Sequence, residues 1–209
     1  SVPPANNQSI TDYRRATGLE ALLGYLYLKK DWKRMLELIK MGLESGMMPE
    51  KWNITNADKV IGLHKAYLEA GAQVITTNTF GANELKIDEC EYSLQELVAS
   101  GVENAKKAIE LSGKVKGEDV YVALSVGPTG KLLKPLGEIE FGDAVTAFAK
   151  TMILGEKAGA DLIIIETMSD TYEAKAALLA AKENTSLPVF VTVAFDEKES
   201  LMTGADVLS

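Results

Sequence analysis

Glu166 ends an apolar run, Leu162-Ile163-Ile164-Ile165, where a carboxylate must be paired or neutralised because a lone buried charge is costly. Such a group can take a substrate ammonium, or it can serve a core lysine or backbone amides; position alone leaves both open. Thr167 follows it directly. Asn78-Thr79 stands after a second apolar run, Val74-Ile75-Thr76-Thr77, where Asn78 could bond a polar substrate or turn the chain. Ser125 and Gly127-Pro128-Thr129-Gly130 follow a third, Tyr121-Val122-Ala123-Leu124. That loop could offer backbone N–H groups to an anion such as a carboxylate, or form an ordinary tight turn. A fourth run, Val189-Phe190-Val191-Thr192-Val193, leads to Asp196-Glu197-Lys198-Glu199, which reads as a solvated turn.

Other reactive side chains are few: the chain has one histidine and one cysteine. His64 falls on the apolar face of a helical stretch and reads as a structural histidine, not a base. Cys90 sits in Asp88-Glu89-Cys90-Glu91, where neighbouring negative charge disfavours the thiolate. A single cysteine allows no intrachain disulfide and fits a reducing compartment. A zinc site of three or four Cys/His ligands cannot be built from this chain.

The apolar runs alternate with stretches of helical spacing over residues 56–70, 93–111, 143–158 and 172–182. Asn56 is placed to cap the first, Gly71 to end it, and Gly159 to end the third. Strand–helix alternation with short, nearly all-apolar strands implies parallel βαβ units buried on both faces. No G-x-G-x-x-G follows any strand, so a dinucleotide crevice is unsupported. Instead each strand ends in a polar cluster, which is how a barrel assembles its site. The expected fold is α/β: a partial (β/α)8 barrel of four βα units, preceded by a short α-helical hairpin. A whole barrel takes eight strands and about 250 residues, whereas four runs are present and the sequence closes on Thr203-Gly204-Ala205-Asp206, which reads as a loop.

Ahead of these units, residues 44–53 look irregular, with Pro49 disfavouring helix through Met48. Residues 11–41 carry two helical stripes: Leu19, Leu22, Leu23, Leu26 and Tyr27, then Met35, Leu36, Leu38 and Ile39, with Lys29-Lys30-Asp31 as the break. The net charge is −8 over 209 residues, which argues against nucleic acid as the main partner. Its distribution is uneven: residues 1–43 hold seven Lys/Arg against four Asp/Glu, and the rest hold fifteen against twenty-six. That shift sets an expected boundary between a segment 1–43 and a domain 44–209. A polar start and the lack of any apolar run near the roughly 20 residues of a membrane span point to a cytoplasmic protein.

Taken together, the strand-end segments are far more specific than any one residue. Ile75-Thr76-Thr77-Asn78-Thr79-Phe80-Gly81-Ala82-Asn83, Ser125-Val126-Gly127-Pro128-Thr129-Gly130, Ile165-Glu166-Thr167-Met168-Ser169-Asp170 and Phe195-Asp196-Glu197 occur in this order, after the lead-in Pro49-Glu50-Lys51-Trp52-Asn53. The series resembles the homocysteine-binding barrel of cobalamin-dependent methionine synthase and related homocysteine S-methyltransferases, over about residues 41–209. The resemblance implies a (β/α)8 barrel that binds homocysteine on zinc and passes a methyl group to its sulfur. It implies that Glu166 holds the substrate amino group, and that Asn78, Thr79, Thr167 and the loop with Gly127 and Thr129 line the pocket. Methylcobalamin, S-methylmethionine and betaine users share this barrel, so the methyl donor stays open. The family's zinc cysteines come from later strands, and Cys90 matches none of them. Its opening Asp-Gly-Ala-x-Gly loop has no counterpart before Pro49.

In place of that opening, Tyr13-Arg14-Arg15-Ala16-Thr17-Gly18-Leu19-Glu20-Ala21-Leu22-Leu23-Gly24 resembles the last helices of a ribonuclease III-type domain of the Mini-III kind. There Glu20 would match a magnesium ligand. The functional expectation is a homocysteine S-methyltransferase-family chain, active with a missing barrel half from elsewhere. The alternative is a non-catalytic barrel fragment that associates through open strands, and a ribonuclease III-like role ranks third.

Overall fold

The computed structural model describes residues 48–87, 90–196 and 199–206, all within one compact unit, Met48–Ser209. The helical hairpin expected over residues 11–41, Glu20 and the 43/44 boundary lie outside the described residues.

The element order alternates as the periodicity requires. A 3-10 turn, Pro49–Lys51, leads into α1 (Trp52–Thr55) and α2 (Ala57–Glu69). Then follow β1 (Val74–Thr76), α3 (Leu94–Ser112), β2 (Tyr121–Val126), α4 (Phe141–Ala158), β3 (Leu162–Met168), α5 (Thr171–Asn184) and β4 (Val189–Val193). The stretch expected to be irregular before Asn56 is therefore helical in part: Pro49 occupies the first turn, where its missing N–H is no loss. Local chemistry sets the helix ends. Ser93 and Glu96 form a reciprocal capping box at α3, and Gly113 and Gly159 end α3 and α4 in the left-handed conformation. Asn56 stands at the cap position of α2 but makes no capping bond; its amide turns to Thr55 Oγ1 instead.

The sheet order is β1-β2-β3-β4, and every neighbouring pair is parallel. A doubly wound sheet reverses its strand order at a switch point, whereas a barrel winds strands in sequence. Successive helices pack side by side, α2 on α3, α3 on α4 and α4 on α5, so all lie on one face. The arrangement is an arc of a β/α barrel.

Strand alternation assigns the two faces. A Cβ on Gly155 of α4 would come 2.4 Å from Leu124, so Leu124 faces the helices. Val122 and Val126 share that face, while Ala123 and Ser125 face the concave side. Ile163 and Ile165 are likewise fully buried, which puts Ile164 and Glu166 on the concave side of β3. Between sheet and helices the core closes around Val98, Val102 and Ile109 of α3, Phe148 and Met152 of α4, and a run of small residues in α5, Ala176, Ala177, Ala180 and Ala181. Those alanines let α5 approach the sheet closely.

The expectation that both faces of every strand are buried fails at the margins. Val74 on β1 is 45% exposed, and on β4 Phe190 is 60% and Val191 and Val193 are each 40% exposed. A four-strand arc covers its convex face with helices but leaves the concave face and outer edges open. The apolar runs carry no mark of which strand stands at an edge.

Candidate functional site

The carboxyl ends of β1, β2 and β3 lie side by side and are stitched by buried hydroxyls. The Ser125 N–H donates to Thr77 Oγ1 at 3.1 Å, and Thr79 Oγ1 donates to the Ser125 carbonyl at 2.7 Å. Thr77 and Thr79 hydroxyls meet at 2.6 Å, and with Thr79 donating onward, Thr77 donates here. The ring closes on itself, and all three residues are buried. Its remaining hydroxyl, Ser125 Oγ, donates to Glu166 Oε1.

Glu166 therefore has a defined orientation. It is half-buried on the concave side, and among the described residues neither a lysine, an arginine nor a backbone amide bonds its carboxylate. Among the described residues its one hydrogen-bond partner is the Ser125 hydroxyl. The backbone beneath it is unusual. The pairing of β3 with β4 shifts between Ile165 and Met168, and Thr167 has a φ of 60°. A β-branched residue in the left-handed region costs about 1–3 kcal/mol, and such strain gathers at functional sites. The bulge aims Glu166 away from the regular ladder. It is pinned by the Thr167 N–H, which donates to Thr192 Oγ1 on β4 at 3.1 Å.

The other expected residues have the following places. Asn78 is half-buried at the end of β1, and its amide donates to the Pro49 carbonyl at 2.9 Å and to Asn53 Oδ1 at 3.2 Å. Asn53 answers by donating to the Asn78 carbonyl at 2.8 Å and the Leu97 carbonyl at 3.2 Å. Asn78 thus ties the lead-in turn to the strand end, leaving its own side-chain oxygen as the group a ligand can use. Thr79 is wholly buried, its hydroxyl inside the ring. Gly127 donates its N–H to the Phe80 carbonyl at 3.0 Å, and a Cβ there would stand 2.6 Å from that oxygen and the Phe80 ring. Thr129 is wholly buried, with its N–H on Glu173. The N–H groups of Gly127 and Thr129 are therefore bonded within the protein. Lys86, from the loop after β1, donates to the Pro128 carbonyl at 2.6 Å and locks the two loops together.

Two buried carboxylates in this construction were not legible in the sequence. Glu50, 3% exposed, accepts the Gly81 N–H, and Gly81 lets that carboxylate come close, since an added Cβ would lie 2.7 Å from it. Glu173, also 3% exposed, accepts from Thr129. Neither precedes or follows a strand closely enough to be read as part of a strand-end cluster. Ser125 had a signal: on β2 the small residues Ala123 and Ser125 alternate with Val122, Leu124 and Val126, which marks the side that must leave room.

The site is an open trough. A hollow of about 390 Å³ lies nearby, bounded by Leu133, Lys134, Asp170, Tyr172 and Thr203, but Glu166 does not line it.

The described residues do not fit a zinc ion. No group of three or more His, Cys, Asp or Glu comes together among them in a way that could hold a metal. Cys90 lies in the loop before α3. His64 is buried in α2, and desolvation lowers its pKa from 6.5 to about 4.

A sequential arc of parallel strands with its polar groups gathered at their carboxyl ends defines a β/α-barrel-type fold. The sequence model of the homocysteine S-methyltransferase family matches residues 27–209, and the chain belongs to that family. The match begins within the segment 1–43 that the charge distribution set apart. Methionine synthase of Mycobacterium tuberculosis is 31% identical over 165 residues, which is 74% of this chain and 13% of that protein. Methionine synthase of Mycobacterium leprae is 32% identical over 166 residues, with the same coverage. The chain thus spans about an eighth of the length of these curated relatives. Among solved structures, the metallated form of the homocysteine methyltransferase MmuM from Escherichia coli superposes with a TM-score of 0.66 at 22% identity, over 75% of this chain and 58% of that one. Its oxidised form gives 0.65 at 25% identity, over 82% and 63%.

Proposed function

We propose that this chain supplies the homocysteine-recognising arc of a homocysteine S-methyltransferase. One observation carries the reading: Glu166 is held by Ser125 at a strained strand end, faces the open trough, and has no cation of its own among the described residues. An ammonium group is the natural complement of such a carboxylate, and bonds between charged partners are about twice as strong as neutral ones. Asn78 and Thr167, both half-buried at strand ends, are the further polar residues of this reading. Homocysteine is the substrate and methionine the product, with a methyl donor as the second partner. Methylcobalamin carried on another domain is one donor consistent with the methionine synthase relatives.

A free thiol has a pKa of about 8.5 and is mostly protonated at neutral pH. No described residue is placed to change that. These residues bind and orient the amino acid, while zinc, the family's expected thiol activator, needs ligands that they do not contain. A reducing, cytoplasmic setting suits a chain with one cysteine and a thiol substrate. Among the described residues no helix is long and apolar enough to cross a membrane.

The test is a calorimetric titration with homocysteine and with 4-mercaptobutanoate, which lacks the amino group. Homocysteine is expected to bind more tightly, by about tenfold or more for a charged hydrogen bond. Equal affinities would end the reading.

The exposed concave and edge residues favour a second reading, a non-catalytic module that associates through β4. The ribonuclease III-like reading rests on Glu20 and its neighbours, outside the described residues.

A further inference from the structure

Glu173 lies in the first turn of α5, and one of its oxygens accepts the Thr129 N–H at 2.7 Å and lies 2.6 Å from Thr129 Oγ1, closer than the Lys131 carbonyl at 3.1 Å. A helix amino end favours a negative charge, so the buried carboxylate is stable there. The same βα unit carries Glu166 on β3, and Glu166 accepts from Ser125. The stretch from Ser125 to Thr129 is thus fastened to this unit twice, once on the concave side and once on the helix side.

We propose that Glu173 is a positioning residue for homocysteine recognition. It acts as an internal carboxylate that occupies the anion-accepting N–H and O–H of Thr129 and so sets the loop 127–130 against the Glu166 strand. The inference rests on the proposed role of Glu166 and deepens it. With Glu173 in place, Thr129 offers nothing to a substrate carboxylate, so the site selects its ligand through the ammonium end. Removing the carboxylate leaves a space whose two donors fit a small carboxylate ion.

The test uses the full chain with Glu173→Ala, Glu173→Gln and Thr129→Val. Amide exchange over residues 127–131 and homocysteine affinity are each measured with and without formate. Glu173→Ala is expected to speed exchange at Thr129 and weaken homocysteine binding, each by about tenfold, the loss of a buried charged hydrogen bond. Formate is expected to restore both. Glu173→Gln keeps an acceptor oxygen and is expected to stay within about threefold of the parent, as a neutral hydrogen bond replaces a charged one. Unchanged homocysteine affinity in Glu173→Ala despite faster exchange overturns the proposal, as does failure of formate to rescue. If Glu173→Ala does not fold, Thr129→Val decides: it loses the hydroxyl donor, and an affinity equal to the parent's overturns the proposal. If the parent chain binds no homocysteine, the Glu166 reading fails by itself, and exchange and formate rescue at Thr129 still show whether Glu173 fixes the loop.

Discussion

At the scale of single residues, the described carboxylates differ in what they meet. Glu50 and Glu173 are sunk against backbone N–H groups, whereas Glu166 meets one hydroxyl and the trough. Removing that hydroxyl with Ser125→Ala lets the Glu166 side chain sample other rotamers. Homocysteine binding is then expected to weaken by about 0.5–1.5 kcal/mol, the usual net value of one hydrogen bond; calorimetry checks it, and an unchanged constant would show that the orientation is not needed. His64 gives a prediction in pH. Its Nε2 is buried with no hydrogen-bond partner among the described residues, and its folded-state pKa of about 4 lies below the ordinary 6.5. The unfolded chain therefore binds the proton more readily, so stability is full above pH 6.5 and falls as pH drops toward 4, by about 3 kcal/mol in all. Urea unfolding of the parent and of His64→Leu at pH 7 and pH 4.5 measures it. The parent is expected to lose more stability than the variant, and equal losses would contradict burial of the imidazole.

At the scale of elements, close approach is what brings the loops to the site. Gly127 touches the Phe80 carbonyl and ring, and that oxygen is backbone that cannot swing aside. Gly127→Ala is expected to destabilise the fold by about 1–3 kcal/mol, as overpacking does. Gly62 on α2 has nothing within 4 Å of an added Cβ. Gly62→Ala is therefore expected to stabilise by about 0.5–1 kcal/mol through helix propensity. Opposite signs in denaturant unfolding support the packing described, and equal signs contradict it. Much of this scale was legible in the sequence, because four apolar runs separated by 3.6-period stretches leave little choice but βα units, and Gly71 and Gly159 mark helix ends by local chemistry. The strand-end position of Glu166 could be read for the same reason. The partners of Thr79, Thr129 and the Gly127 N–H could not, since each depends on chain far away in sequence. Glu173 pairs with Thr129 across 44 positions, and nothing near either residue announces the pair. The bulge at Thr167 was also invisible, because threonine is an ordinary strand residue and only the shift against β4 reveals the kink.

At the scale of the whole molecule, an arc of four parallel strands leaves apolar surface on its concave face and at its β4 edge. Phe190, Val191, Val193 and Phe195 are all at least 39% exposed. Such an edge favours association. Light scattering is expected to show concentration-dependent assembly, and Phe190→Glu with Val193→Lys is expected to suppress it. A single monomeric species of the parent at all concentrations would contradict this.

The central claim is that Glu166 recognises the amino group of homocysteine, and a cycle of two proteins and two ligands isolates that contact. The affinities of the parent and of Glu166→Gln are measured for homocysteine and for 4-mercaptobutanoate. The substitution is expected to cost about 1.5–3 kcal/mol with homocysteine and close to nothing with the analogue. An equal loss with both ligands, or no loss with either, would contradict the assignment of Glu166.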